Sequence, residues 1–212
     1  MKTEEELLEI VNKKGWYETV RCNDVTEDFI RKYHENFDID CWDAVSDRND
    51  LSLSFVEEFY DKVDWLSIQD KWYITEEILR KYIDYVYWDW LNYNKVSEDF
   101  IREFKDKVDW SLVSERNNLS LGFIREFKDD LDWIWVLNGY ENIDDNFVDE
   151  FKDYFKNWDS IVSDPKVSDE TIYKYRRLIN WEWLYGECQY YKLSSRSLLV
   201  QRINKYYKRL EY

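Results

Sequence analysis

The sequence predicts an all-α fold: an α-solenoid of about seven short helical-hairpin repeats, 22–26 residues each, with a capping helix at either end. Three observations carry this. A tryptophan returns about every 23 residues in a recurring phrase, as in the stretches Val96–Trp110 and Leu119–Trp133. Self-similarity at a fixed period marks a repeat architecture. Within each phrase the apolar residues fall at i, i+1, i+4 and i+8, one face of a helix rather than the alternation of a strand. Gly (4) and Pro (1) are also too scarce in 212 residues for a turn-rich β fold.

Residues 1–24 read as an N-terminal capping helix and linker, with the helix over 3–14 carrying Leu7, Ile10 and Val11 among charged neighbours. Residues 25–192 hold the seven repeats, which begin at Val25, Leu51, Ile74, Val96, Leu119, Ile143 and Val167. Their first anchors are Phe29, Phe55, Ile78, Phe100, Phe123, Phe147 and Thr171. The second anchors follow four residues on: Tyr33, Phe59, Tyr82, Phe104, Phe127, Phe151 and Tyr175. The tryptophans are Trp42, Trp65, Trp88, Trp110, Trp133, Trp158 and Trp181; an insertion near Ile39-Asp40-Cys41 keeps Trp42 in phase.

Thr26, Ser52, Thr75, Ser97, Ser120 and Ser168 stand where an N-cap belongs, often before acids that suit the positive end of the helix dipole. Asp64, Asp109, Asp132, Asn157 and Asn180 precede tryptophans as caps of a shorter second helix. Stop signals lie at Asn117-Asn118, Asn138-Gly139, Asp164-Pro165 and Gly186. Glu98–Arg102 and Glu103–Lys107 are spaced for i,i+4 pairing on the outer face. Gly122 falls inside a predicted helix, with close packing its only rationale. Residues 193–212 read as a basic capping helix with Leu198, Leu199, Ile203, Tyr206 and Leu210 on its apolar face.

One such hairpin cannot hide its own anchors, so stacking makes the core and stability becomes a sum over neighbouring interfaces. On that basis Trp110→Ala should cost ~3–5 kcal/mol.

Repeats three, five and seven carry a second tryptophan two residues after the first: Trp90, Trp135 and Trp183. Tyr93, Tyr140, Tyr190 and Tyr191 follow in the linkers. Positions i and i+2 point about 200° apart on a helix, so the second ring needs its own environment. The favoured reading is that both rings are buried between neighbours, because large aromatics usually are. The functional reading is an aromatic ridge, rimmed by acids, in which Trp90, Trp135, Trp183, Tyr93, Tyr140 and Tyr190 anchor a partner.

The net charge of −16 is uneven. Residues 1–166 carry −20, from 21 basic and 41 acidic residues, while 193–212 carry +4. An acidic body repels nucleic acid and anionic membrane and suits a basic partner. No apolar run approaches the ~18–20 residues of a membrane span. The acidic start, Met1-Lys2-Thr3-Glu4-Glu5-Glu6, is not followed by the apolar stretch of a secretory signal. Cys22, Cys41 and Cys188 read as reduced thiols, which places the chain in the cytoplasm.

Catalytic chemistry is not expected. His34 is the only histidine and lies beside a repeat anchor, where a packed or solvated role is favoured; with Cys22 and Cys41 it lacks the paired spacing of a zinc site. Glu57-Glu58 and Asp129-Asp130 recur at solvent-facing positions and read as a solvated face. No catalytic, cofactor-binding or metal-ligating residue is assigned, and the chain reads as a non-enzyme.

The unit [Leu/Val]-Ser-x-x-Phe-Ile-x-x-Phe-x-x-x-Val-Asp-Trp, matched by Leu51–Trp65, Val96–Trp110 and Leu119–Trp133, resembles short tandem repeats in proteins of unknown function from phages, giant viruses and some bacteria. Weaker copies extend over most of 25–192; repeat seven departs, with Thr171 at the first anchor. The resemblance implies a viral or mobile-element origin, hence the host cytosol, and transfers no functional residue.

The leading functional expectation is an interaction scaffold binding a host protein through its acidic and aromatic face. One alternative is an anti-defence inhibitor, anti-CRISPR-like, that mimics nucleic-acid charge in the basic groove of a nucleic-acid-binding enzyme. The other is a self-assembling homo-oligomer, with the basic cap docked on another copy's acidic body.

Overall fold

The computed structural model describes residues 2–190 and 198–206. Its α-helices and short 3₁₀ turns include no strand among the described residues. The chain divides into two compact units, Met1–Val96 and Ser97–Tyr212, a division that falls where repeat four begins.

In the first unit lie α1 (Glu4–Val20), α2 (Glu27–Tyr33), α3 (Ile39–Ser46), α4 (Leu53–Glu58), α5 (Trp65–Ile68) and α6 (Glu76–Lys81). The second holds α7 (Glu98–Glu103), α8 (Trp110–Ser114), α9 (Leu121–Glu126), α10 (Trp133–Gly139), α11 (Asp145–Phe151), α12 (Asp159–Ser163), α13 (Asp169–Tyr175), α14 (Trp181–Tyr190) and α15 (Leu198–Tyr206).

The caps set these boundaries. Thr26, Ser52, Thr75, Ser97, Ser120 and Ser168 each accept the amide of the residue three on, satisfying a donor the helix leaves open. Asp64, Asp109 and Asp132 cap the second helices, and Asn180 accepts from the Trp183 amide. Asn157 accepts from Asp159, so α12 starts one residue after Trp158 rather than at it.

Repeat three departs from the helical hairpin. Tyr87 replaces the capping carboxylate before Trp88, and its side chain makes no capping hydrogen bond. The second helix there shrinks to 3₁₀ turns over Trp88–Trp90 and Tyr93–Lys95. In repeat one, Asp38 caps three residues early through the Cys41 amide, so the insertion lengthens α3 at its N-terminus.

α1 extends past the expected residue 14. It breaks at Gly15, whose φ of 86° suits a residue without Cβ. The chain beyond the break delivers Trp16 to Tyr33, with ring centroids 5.5 Å apart. Gly122 is different: a Cβ there would meet only Ser120 Oγ at 3.8 Å, so close packing does not explain it.

One contact recurs between consecutive repeats inside each unit. The tryptophan of a repeat lies on the second anchor of the next. The centroid distances are 5.2 Å for Trp42–Phe59 and 5.1 Å for Trp65–Tyr82 in the first unit. In the second they are 4.8 Å for Trp110–Phe127, 5.0 Å for Trp133–Phe151 and 5.7 Å for Trp158–Tyr175. The indole N–H of Trp65, Trp133 and Trp181 donates to the carbonyl five residues earlier, on Tyr60, Lys128 and Arg176, at 2.8, 2.8 and 2.7 Å. Each ring thus buries its apolar area while its one donor stays satisfied. At the far end Trp181 meets Tyr206 of α15 at 6.0 Å.

Ion pairs join successive first helices on the outer face: Arg31–Glu58 (2.7 Å), Lys81–Glu57 (2.6 Å), Arg102–Glu126 (2.7 Å), Arg125–Glu150 (2.6 Å) and Lys174–Asp149 (2.8 Å). The expected Glu98–Arg102 pair forms at 3.4 Å, longer than the bond from Arg102 to the next repeat. Glu27, Glu98 and Asp145 each also accept the backbone N–H of the following N-cap serine.

Arginines seal the segment ends. Arg48 donates to the carbonyls of Val20, Cys22 and Val25, and Arg202 of α15 to those of Val162, Asp164 and Val167. Arg202 and Lys205 also bind the Asp169 carboxylate, so the basic cap spends charge inside its own unit. Arg196, Lys208, Arg209, Leu210 and the side chain of Leu199, also assigned to that cap, lie outside the described residues.

The ladder ties stability to pH. Lys174 beside Asp149, Arg125 beside Glu150, and Lys205 beside Asp169 hold these carboxyls below their usual range. A depressed carboxyl contributes stability above its unfolded value and loses it as pH falls through the folded one. Lys174 and Lys205 are raised by the same bonds; their contribution is intact below the ordinary lysine value and fades as pH rises through the folded one. The melting temperature in low salt should therefore be flat between about pH 5 and 10 and fall on both sides. Thermal melts across pH should show a shallower acid limb in a D149N/E150Q/D169N variant.

Candidate interaction surface

The second tryptophans face water, contrary to the favoured burial of both rings. Trp90 is 68 % exposed, and Trp135 and Trp183 are each 44 % exposed. The cause is rotational. On α10 and α14 the first indole is held inward by its carbonyl bond and its partner ring, which turns the residue two positions on away from the core.

The tyrosines grouped with them behave otherwise. Tyr93 is buried, and its hydroxyl donates to the Trp88 carbonyl at 2.9 Å. Tyr140 is half-buried and stacks on Phe147 at 4.9 Å, and burial raises its hydroxyl above the ordinary tyrosine value. Both are packing residues here rather than members of an exposed ridge. The side chain of Tyr190, and Tyr191, lie outside the described residues. Sequence reasoning missed Trp72, which is 86 % exposed in the linker after α5. Its signal was a tryptophan out of phase with the period.

Three clefts of the second unit share Lys156. One, of about 450 Å³, is lined by Trp110, Asp129, Asp132, Trp133, Asp153 and Tyr154. The next, about 220 Å³, includes Ile134, Leu137, Asn138 and Asp159. The third, about 260 Å³, has Trp158, Leu178, Trp183 and Leu184. Exposed Ile134 thus adjoins concave surface bearing Asp159 and Lys156, and exposed Leu178 and Trp183 line the cleft of Lys156, Asn157 and Asn180, a mix of apolar and polar groups that suits a binding patch.

In the first unit a cleft of about 630 Å³ gathers Asp40, Asp43 and Asp47 with Tyr17, Arg21 and Arg48. Burial, then the neighbouring carboxylates of Asp64, Asp40 and Asp47, push the Asp43 carboxyl up. Three carboxylates thus crowd beside α3, with Arg21 and Arg48 in the same cleft.

The other sequence candidates have structural places. His34 packs edge-on against Phe59 at 5.0 Å, with Nδ1 3.7 Å from Glu35. Cys41 is buried, and burial pushes its thiol up to about 11, away from thiolate chemistry. Cys22 is half-buried, and the side chain of Cys188 lies outside the described residues. Glu57 and Glu58 are occupied by Lys81 and Arg31, and Asp129 accepts the Tyr154 hydroxyl. Among the described residues no cluster of His, Cys, Asp and Glu is arranged to hold a metal ion, and no helix is long and apolar enough to cross a membrane.

Comparison with protein families, with curated proteins and with solved structures finds no match to this chain.

The two tryptophan classes should separate chemically. Brief oxidation of the native protein with peptide mapping should modify Trp72 and Trp90 first, Trp135 and Trp183 next, and Trp65, 2 % exposed, only on unfolding.

Proposed function

We propose that the chain is a non-enzymatic protein–protein interaction scaffold, its hairpins stacked as one α-solenoid array over residues 25–192. In this reading it derives from a virus or mobile element and acts in the host cytosol, where its acidic and aromatic face holds a host protein. The observation that carries the reading is the exposure of Trp90, Trp135 and Trp183. Large rings left in water are the usual anchors of a partner, and Trp183 also lines a cleft. The internal use of charge supports it as well, because the outer acids of the first helices are bound to Arg and Lys.

A second reading, mimicry of nucleic-acid charge against the basic groove of a nucleic-acid-binding enzyme, draws on the crowded Asp40, Asp43 and Asp47. Self-assembly through the basic cap is less favoured, since Arg202 and Lys205 already bind Asp169.

Affinity capture from the native host with mass spectrometry should return a partner with the wild-type chain. The folded W90S/W135S/W183S variant should lose it. Retention of the same partner by the variant would remove this surface from the account. Binding that collapses between low and moderate salt and is competed by DNA or RNA would select mimicry.

A further inference from the structure

A smaller cleft in the first unit, about 290 Å³, is lined by Asp61, Val63, Asp64, Trp65, Asp84, Tyr85, Val86 and Tyr87. Its counterpart in the second unit is the cleft of Asp129, Leu131, Asp132, Trp133, Asp153, Tyr154, Phe155 and Lys156. The two match position by position along the repeat. The match is also structural. Trp65 bonds the Tyr60 carbonyl as Trp133 bonds that of Lys128. Trp65 lies 5.9 Å from Tyr85, and Trp133 lies 5.1 Å from Tyr154.

The two clefts differ in what occupies them. In the second unit the chain brings its own cation. Lys128 Nζ stands over the Tyr154 ring, 5.8 Å from its centroid, and the Tyr154 hydroxyl donates to Asp129 at 2.8 Å. Lys156 lines the same cleft. In the first unit both lysines are replaced by tyrosine, Lys128 by Tyr60 and Lys156 by Tyr87. Tyr60 meets Tyr85 edge-on at 5.6 Å, which leaves Tyr85 39 % and Tyr87 49 % exposed. Asp64 is occupied as the cap of α5, and Lys62 reaches Asp61 only at 3.9 Å. Asp84 makes no ion pair among the described residues.

We propose that the first-unit cleft, whose counterpart carries its own lysines, binds the guanidinium of an arginine side chain on a partner peptide beside Tyr85 and Tyr87. The exposed rings of Tyr85 and Tyr87 offer aromatic surface to a planar cation, and Asp61 and Asp84 supply the charge. Arginine suits the seat better than lysine because a flat, weakly hydrated fork can stack and pair at once. The site uses none of Trp90, Trp135 or Trp183, so it stands or falls separately from the partner surface described above.

The test is an NMR titration of the full chain with acetyl-Gly-Ser-Arg-Ser-Gly-amide and its citrulline counterpart. The arginine peptide should move the Tyr85 and Tyr87 ring signals saturably, and the citrulline peptide should not. Tyr60→Lys, which restores the internal cation, should weaken binding at least about fivefold; Asp84→Asn, conservative at an exposed site, should weaken it in the same direction. Equal responses to the two peptides, tighter binding of a lysine peptide, or unchanged binding by folded Tyr60→Lys would overturn the assignment.

Discussion

The structure depends on an indole that its own repeat cannot bury. In three repeats, those of Trp65, Trp133 and Trp181, the tryptophan is fixed by its N–H bond to the carbonyl five residues back. Its apolar face then needs a partner, and the second anchor of the next repeat supplies it. Burial of such a ring is worth a few kcal/mol, far more than any surface ion pair at about 0–1 kcal/mol. The ladder of Arg and Lys therefore tunes register on the outer face while the ring contact provides the cohesion. The ends obey the same constraint. Trp16 supplies an indole ahead of the first repeat, and Tyr206 supplies a ring after the last.

Charge follows from this division of labour. First-helix acids lie close to the next helix and are neutralised there by Arg31, Lys81, Arg102, Arg125 and Lys174. Acids around the second helices line clefts instead, as Asp40, Asp43 and Asp47 do in one unit and Asp129, Asp153 and Asp159 in the other. Exposed rings adjoin some of these acids: Tyr17 lines the cleft of Asp40, Asp43 and Asp47, and Tyr85 and Tyr87 line that of Asp61 and Asp84. A partner for that surface would offer cations with apolar stems.

Much of the local structure was legible in the chain. The Ser and Thr caps, and Asp64, Asp109 and Asp132 before their tryptophans, act within a turn of themselves, so pattern alone placed them. The loss of the second helix in repeat three was legible too, in Tyr87 at a capping position, but only by weighing a single residue against the period. Trp16 was hidden because Gly15 interrupts the pattern that would have announced it. The fate of the second tryptophans depended on rotation about a short helix, which the i and i+2 spacing predicts in direction but not in exposure. Tyr93 and Tyr140 were misread because a linker tyrosine can fold back onto its own repeat or the next, and sequence spacing does not distinguish that from display to solvent. Arg48 and Arg202 were opaque for a related reason: each gathers carbonyls from a segment at least 23 residues earlier.

The central claim is that, inside each unit, cohesion passes from the tryptophan of one repeat to the repeat that follows. A double-mutant cycle on Trp133 and Phe151 in urea denaturation measures it directly, with Trp133 and Phe127, the second anchor of its own repeat, as the control pair. The account predicts a coupling of about 1 kcal/mol or more for Trp133 with Phe151 and a much smaller one for the control. Additive effects for Trp133 and Phe151, or stronger coupling within the repeat than between repeats, would contradict it.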